Sequence, residues 1–310
     1  MIDLVSPQWK TLQTFGNTGE DLPNLILQVA HERRFDQDSA FGTLFERIYQ
    51  QYSLSPAAYA VVPHLVAIGS PLSDEQSEEL WQQIGFIAAT HDVELDKAPP
   101  DLVGDFRSAL LVAERRCIGV LLKKQGGPTE IYELSLSALG LSGHPLGKLV
   151  MDHYTPEDRA ETAAICPQCK SEVQIAVFES GLVVEDPDAA GYPPPPRVET
   201  PLSEPTIQLG APRAANPWAP LGLELAQFAK EKPELASIRS HLLAAAATAE
   251  RGVTPTTQAA AVFSVLGALL ALKGHSHAGR RYLHAWDTIS CDACSSSFIL
   301  AECWWGLRSK

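Results

Sequence analysis

Methionine and cysteine are scarce in this chain, with two and six residues in 310. So few cysteines in so long a chain rule out the dense disulfide framework of a small secreted domain. Long apolar runs are missing too. The longest, AAAVFSVLGALLAL at residues 259–272, falls short of the roughly 20 residues a membrane-spanning helix needs and reads as a buried helix. Positive charge is in deficit: 24 Lys and Arg stand against 37 Asp and Glu, for a formal net charge of −13. Each phosphate contact draws on a Lys or Arg, so this balance disfavours a nucleic-acid partner. It suits a basic partner, a basic protein in particular, through long-range steering. The opening MIDLVSPQWK has neither the basic start nor the apolar core of a signal peptide. The expected location is therefore the cytoplasm, with no membrane role. No phosphate-cradling glycine loop, nucleophile elbow, zinc-protease helix or paired-carboxylate signature is found, which weighs against an enzyme.

What is present is helix after helix. The stretch 35–53 carries Phe41, Leu44, Phe45, Ile48, Tyr49 and Tyr52 at helical spacing, with Asp38 or Ser39 to cap it. The next helix, at 55–69, has Pro56 near its first turn and Pro63 inside, where a kink or break is expected. Leu80, Ile84, Ile87 and Ala88 then form one inward face. Leu102, Phe106, Leu110, Ala113, Cys117, Val120 and Leu121 form another, stopped by Gly126 and Gly127. Two shorter helices are expected at 128–143 and 144–152. Such helices stack most simply as antiparallel pairs, the building unit of solenoids that bind macromolecules.

The composition changes near residue 155. A hairpin is expected over 171–186, with Val173, Ile175 and Val177 alternating and a turn at Glu179, Ser180 and Gly181. Residues 186–217 are rich in proline and small residues and read as a flexible loop. Within it, YPPPPR could serve a polyproline-recognising module. Helices resume at 221–252 and 254–289, with Thr254 or Thr256 as a cap. The expected organisation is a helical domain at 1–155 and a second domain at 156–310.

Four of the six cysteines fall in two Cys-x-x-Cys pairs, Cys166/Cys169 and Cys291/Cys294, some 120 residues apart. Val173 and Phe298 both lie four residues past the second cysteine, and Ile175 and Leu300 both lie six past it. Each pair therefore reads as a tight turn leading into an alternating strand, the form of a zinc knuckle. Two knuckles supply four sulfurs for one tetrahedral ion. The gap is far longer than the 15 to 20 or so residues of a compact zinc site, so a helical insertion is expected between the halves. Rival readings are a thiol redox enzyme or sensor, an iron centre on the same sulfurs, or four unconnected cysteines. Cys117 and Cys303 read as small core residues.

Other candidates have bland readings beside them. His275 and His277, with His284, could bind metal but lack an adjacent acid and read as exposed imidazoles. His144, Asp152 and His153 read as a cap and a solvated face. Arg115, Arg116, Lys123 and Lys124 could meet an anion, yet a solvated face accounts for them.

Two resemblances attach to these residues. ICPQCK and SCDACS resemble the first and second knuckles of rubredoxin-like and zinc-ribbon proteins. That resemblance implies Cys166, Cys169, Cys291 and Cys294 as ligands to one structural zinc. Lys170 and Ser295 depart from it, since both stand where the pattern has glycine. Over the first 150 residues or so, Trp9, Leu12, Gly16, Leu22, Pro23, Ala58, Val62, Pro63 and Leu65 resemble the opening of bacterial HEAT-like helical-repeat proteins. Several of these are immunity or interaction proteins of toxin systems, which implies binding and not catalysis. The resulting expectation is a mostly α chain, a HEAT-like helical array plus a small β zinc ribbon built from two distant knuckles. Its role would be a non-enzymatic scaffold for a basic protein. A zinc-ribbon nucleic-acid binder is the further alternative, with few basic residues near the knuckles to support it.

Overall fold

A computed structural model of the chain describes residues 1–51, 53–91, 99–141, 160–178, 180–185, 193–197, 267–271 and 273–303. These are mainly helical, with small antiparallel sheets. Contacts divide the chain into two units, Met1–Lys124 with Glu133–Lys148, and Gln125–Tyr132 with Leu149–Lys310.

The first unit opens with a 3-10 turn at Pro7–Thr11, capped by Ser6, whose Oγ accepts from Gln8 N. The turn buries Trp9, and its Nε1 donates to Asp3 O at 2.9 Å. Five helices follow, α1 (Leu22–Glu32), α2 (Ala40–Ile48), α3 (Ala58–Gly69), α4 (Asp74–His91) and α5 (Pro100–Lys123), and the unit also takes in α6 (Pro128–Leu141) from Glu133 onward. α1 packs on α2 and α3, while α5 packs along both α3 and α4. The apolar periodicity of α4 and α5 has its expected outcome, with every inward residue named above buried. Each such Leu, Ile or Phe contributes about 1.5–3 kcal/mol on leaving water. α3 is buried on nearly all sides, as befits an apolar helix with neighbours around it.

The helix expected over 35–53 is shorter than its periodicity implied. Ser39 stands extended at its N-cap, and the helix ends at Ile48. Tyr49–Gln50 (β1) then pairs with Ser53–Leu54 (β2) around Gln51, whose φ of 46° reverses the chain. Hairpin formation uses β-branched and aromatic residues that also fit a helical face, so spacing alone does not separate the two. Nor does Pro63 break α3, which runs unbroken from Ala58 to Gly69. The ring is buried in tertiary contacts, and these override its cost to the helix.

The second unit holds a meander of β3 (Ala160–Ile165), β4 (Glu172–Phe178) and β5 (Gly181–Val184). Phe178 pairs with Gly181, so the expected hairpin forms. Residues 267–271 are helical. Then come α7 (Ser276–Leu283), a 3-10 turn (His284–Trp286), β6 (Thr288–Ser290), β7 (Ser297–Ile299) and α8 (Leu300–Cys303). Val173, Ile175, Val177, Tyr282, Trp286 and Phe298 are among its buried residues, and Tyr132 stacks on Tyr282 at 5.8 Å. Leu300 departs from the expected strand: β7 ends at Ile299, and Leu300 begins a helical turn. The helix expected at 144–152, those of 221–252 and the caps Thr254 and Thr256 lie outside the described residues. So does the Pro-rich loop apart from 193–197. Among the described residues no helix is long and apolar enough to cross a membrane.

Candidate metal centre

Each Cys-x-x-Cys sits at the tip of an antiparallel hairpin. β3 runs into Cys166 and β4 leaves it, with Ile165 opposite Glu172. β6 runs into Cys291 and β7 leaves it, with Ser290 opposite Ser297. The incoming strands were not evident beforehand, since AETAAI has little strand character and TIS is very short.

The two tips repeat one hydrogen-bond pattern. Cys166 N donates to Ser171 O at 2.9 Å and Lys170 N to Cys166 O at 3.0 Å. Cys291 N donates to Ser296 O at 2.9 Å and Ser295 N to Cys291 O at 2.7 Å. Lys170 and Ser295 have φ of 66° and 58°, the left-handed region glycine ordinarily fills. The departure from the glycine pattern is thus absorbed by strain at two residues, and the turn geometry survives it.

These tips bring the four predicted ligands together, and all four Sγ atoms lie within 4.8 Å of one another. Cys166 Sγ is 3.6 Å from Cys294 Sγ, and Cys169 Sγ is 3.6 Å from Cys291 Sγ. Zinc–sulfur bonds of about 2.3 Å in a tetrahedron imply sulfur–sulfur edges of about 3.8 Å, so these two pairs stand at ligand spacing. None of the four is in a disulfide. Cys166 and Cys291 are buried, Cys169 and Cys294 exposed.

The electrostatics of the cluster are uneven. Burial works against ionisation of Cys166, but hydrogen bonds from Ser296 and from the N–H groups of Cys169 and Gln168 prevail, and its pKa falls to about 6. Cys169 is also lowered, chiefly by the Ser171 hydroxyl and N–H. Cys291 is pushed up to about 11, first by burial and further by the neighbouring sulfurs of Cys169 and Cys166. Four negative sulfurs at this spacing would repel one another, and a divalent cation held among them would let all four ionise together.

Two serines support the sulfurs and were missed in the sequence. Ser296 Oγ lies 3.1 Å from both Cys166 Sγ and Cys294 Sγ, and Ser171 Oγ lies 3.4 Å from Cys169 Sγ. The signal was there to find, for each stands two residues past the second cysteine of its pair. Such partners outside the ligand set orient and tune the ligands. Behind the second knuckle, His284 Nδ1 lies 2.6 Å from Asp287 Oδ2, both buried, and Leu300 N donates to Asp287 O at 3.2 Å. This corner fixes the start of β6 and hence the approach to Cys291.

His284 is buried with an acidic partner three residues on, where an exposed imidazole was expected. His275 stands at the N-cap position of α7, with Nε2 2.8 Å from Gly126 O. His277 lies in α7, while His144, Asp152 and His153 are outside the described residues. Arg116 sits over the Trp81 ring and donates to Leu72 O at 2.6 Å. Lys123 pairs with Asp74 at 2.6 Å and Lys124 with Glu78 at 2.8 Å. Arg115 is exposed. Cys117 is fully buried, its Sγ facing Leu134 O at 3.7 Å, and burial raises its pKa far beyond the usual thiol range. Cys303 is only half-buried. Lys170 Nζ, beside the first knuckle, donates to Pro167 O at 2.8 Å. Comparison with protein-family models, curated proteins and solved structures finds no match for the chain.

Proposed function

We propose that this chain is a non-enzymatic binding scaffold whose second unit is clasped by one structural zinc ion at Cys166, Cys169, Cys291 and Cys294. The observation that carries the metal reading is the convergence of four free Sγ atoms within 4.8 Å from two matching turns. A closed set of four sulfurs leaves no open coordination position for substrate, which favours a structural over a catalytic ion. Elemental analysis of protein expressed without a metal-affinity tag tests it. One zinc per chain, lost in Cys291→Ser, is the expected result. A metal-free protein whose thiols all react freely would remove the reading.

The scaffold's partner, on this proposal, is a basic protein. The net charge of −13 supports it, as does the likeness of the helical half to bacterial HEAT-like interaction proteins, which points to the toxin-immunity type. One purified basic partner should bind the full chain at low salt and weaken steeply as salt rises.

A further inference from the structure

In two sulfur pairs that stand at the same short distance, the two members differ in access. Cys169 lies 3.6 Å from Cys291, and Cys294 lies 3.6 Å from Cys166. Both pairs cross from one knuckle to the other. In each, one sulfur is exposed (Cys169, Cys294) and its neighbour is buried (Cys291, Cys166). The arrangement suits oxidation in two steps. An exposed sulfur meets a soluble oxidant, and the buried neighbour, which the oxidant cannot approach, completes the disulfide. A disulfide needs an S–S distance of about 2.05 Å, so each pair closes by about 1.5 Å without a change of partner.

We propose, building on the zinc reading above, that the centre is a peroxide-responsive clasp that oxidises across its knuckles to Cys169–Cys291 and Cys166–Cys294 and releases its ion. The Cys169 sulfur attacks one oxygen of a hydroperoxide. The O–O bond breaks, the leaving oxygen takes up a proton, and Cys169 becomes a sulfenic acid. The Cys291 sulfur then attacks the sulfenic sulfur. An S–S bond forms, the S–O bond breaks, and hydroxide leaves as water with a second proton. The two sulfurs have lost two electrons, and the hydroperoxide has gained them. Cys294 and Cys166 repeat the sequence with a second hydroperoxide. With hydrogen peroxide, four thiolates and one zinc become two disulfides, free zinc and four waters, with four protons consumed.

The pairing decides what oxidation does to the fold. A disulfide within a knuckle would leave the two hairpins untied. Cross-knuckle disulfides span 122 and 128 residues and keep the β3–β4 and β6–β7 hairpins joined after the ion has gone. The clasp changes its chemistry and stays shut. A dithiol reductant with added zinc reverses it.

The test treats the full-length, zinc-loaded protein with hydrogen peroxide. Zinc release is followed with a chromogenic chelator, and disulfides are mapped by peptide mass spectrometry under denaturing, thiol-blocked conditions. The expected result is one zinc released for two peroxides consumed, with Cys169–Cys291 and Cys166–Cys294 as the main linkages and Cys117 still reduced. Main products of Cys166–Cys169 or Cys291–Cys294, sulfinic acids at the exposed cysteines, or zinc held through the treatment would each overturn the proposal. Zinc analysis of the untreated sample keeps the two readings apart. A zinc-free chain defeats the structural-zinc reading, and whether peroxide then joins its sulfurs across or within knuckles still decides the pairing.

Discussion

Lys170 and Ser295 hold backbone geometry that L side chains resist, at a cost of about 1–2 kcal/mol for a left-handed residue. Both knuckles carry the cost at the same position, which marks the turn as required by the site and not chosen by the residue. Replacing each with glycine relieves the strain but adds freedom to the unfolded chain, worth about 0.5–1 kcal/mol. Lys170→Gly with Ser295→Gly should therefore leave folding stability level or raised by up to about 1 kcal/mol per site. In competition with a chelator, the double variant should hold zinc at least as tightly as the parent. Lys170→Ala serves as the control, since it removes the ammonium and keeps the strain, and it should change little. A double glycine variant that gives up zinc more readily than the parent would mean the side chains, not the turn, hold the site. At this scale the ligands were legible because Cys-x-x-Cys spacing is local. Ser296 was less so, because its reach to Cys166 depends on a contact spanning 130 residues.

Among the elements, the helices showed themselves where a long apolar face repeats, as in α4 and α5, and the β4–β5 hairpin where Val173, Ile175 and Val177 alternate, while β3 and β6 did not. β3 is half alanine, and β6 has three residues, too few for alternation to register. Their pairing is fixed by tertiary context, with the knuckle tips setting the register. The contact of α4 with α6 was equally hidden. A Cβ on Gly85 would overlap the backbone and Cβ of Ser137, and one on Gly140 would meet Gly85 O at 2.6 Å. Ser137 Oγ meanwhile donates to Gln82 O at 2.9 Å across the same crossing. Glycine here permits close approach of backbones, a role that composition does not reveal. Gly85→Ala should destabilise the first unit by about 1–3 kcal/mol or more, since the obstacle is backbone and cannot rotate away. Gly104→Ala, on an exposed part of α5 with open space around it, should instead stabilise by up to about 1 kcal/mol. Urea unfolding of the two variants side by side distinguishes them. Similar midpoints for both would show that α4 and α6 do not approach this closely.

For the whole molecule, the question is what a metal at the four sulfurs would hold together. The first unit has its own apolar core, with Trp9, Tyr59, Trp81 and Phe106 among its buried side chains, and it contains none of the four clustered cysteines. The second unit draws its strands from stretches far apart in sequence, and the sulfurs that join them close loops of 122 and 128 residues. By analogy with a disulfide, a cross-link closing so long a loop restricts the unfolded chain by up to about 5 kcal/mol. Metal binding free energy is in that sense folding free energy. Removing zinc should therefore act on one unit and spare the other. Scanning calorimetry of the full chain should show two transitions. On treatment with a strong chelator and reductant, one transition should move down by many degrees while the other keeps its midpoint, and added zinc should restore the first. Limited proteolysis of the chelated protein should cut within 149–310 and leave a protected fragment from the N-terminal half. A single transition that shifts as a whole would show the units to be one cooperative body. Two transitions that both ignore the chelator would leave the four sulfurs with no part in holding the fold.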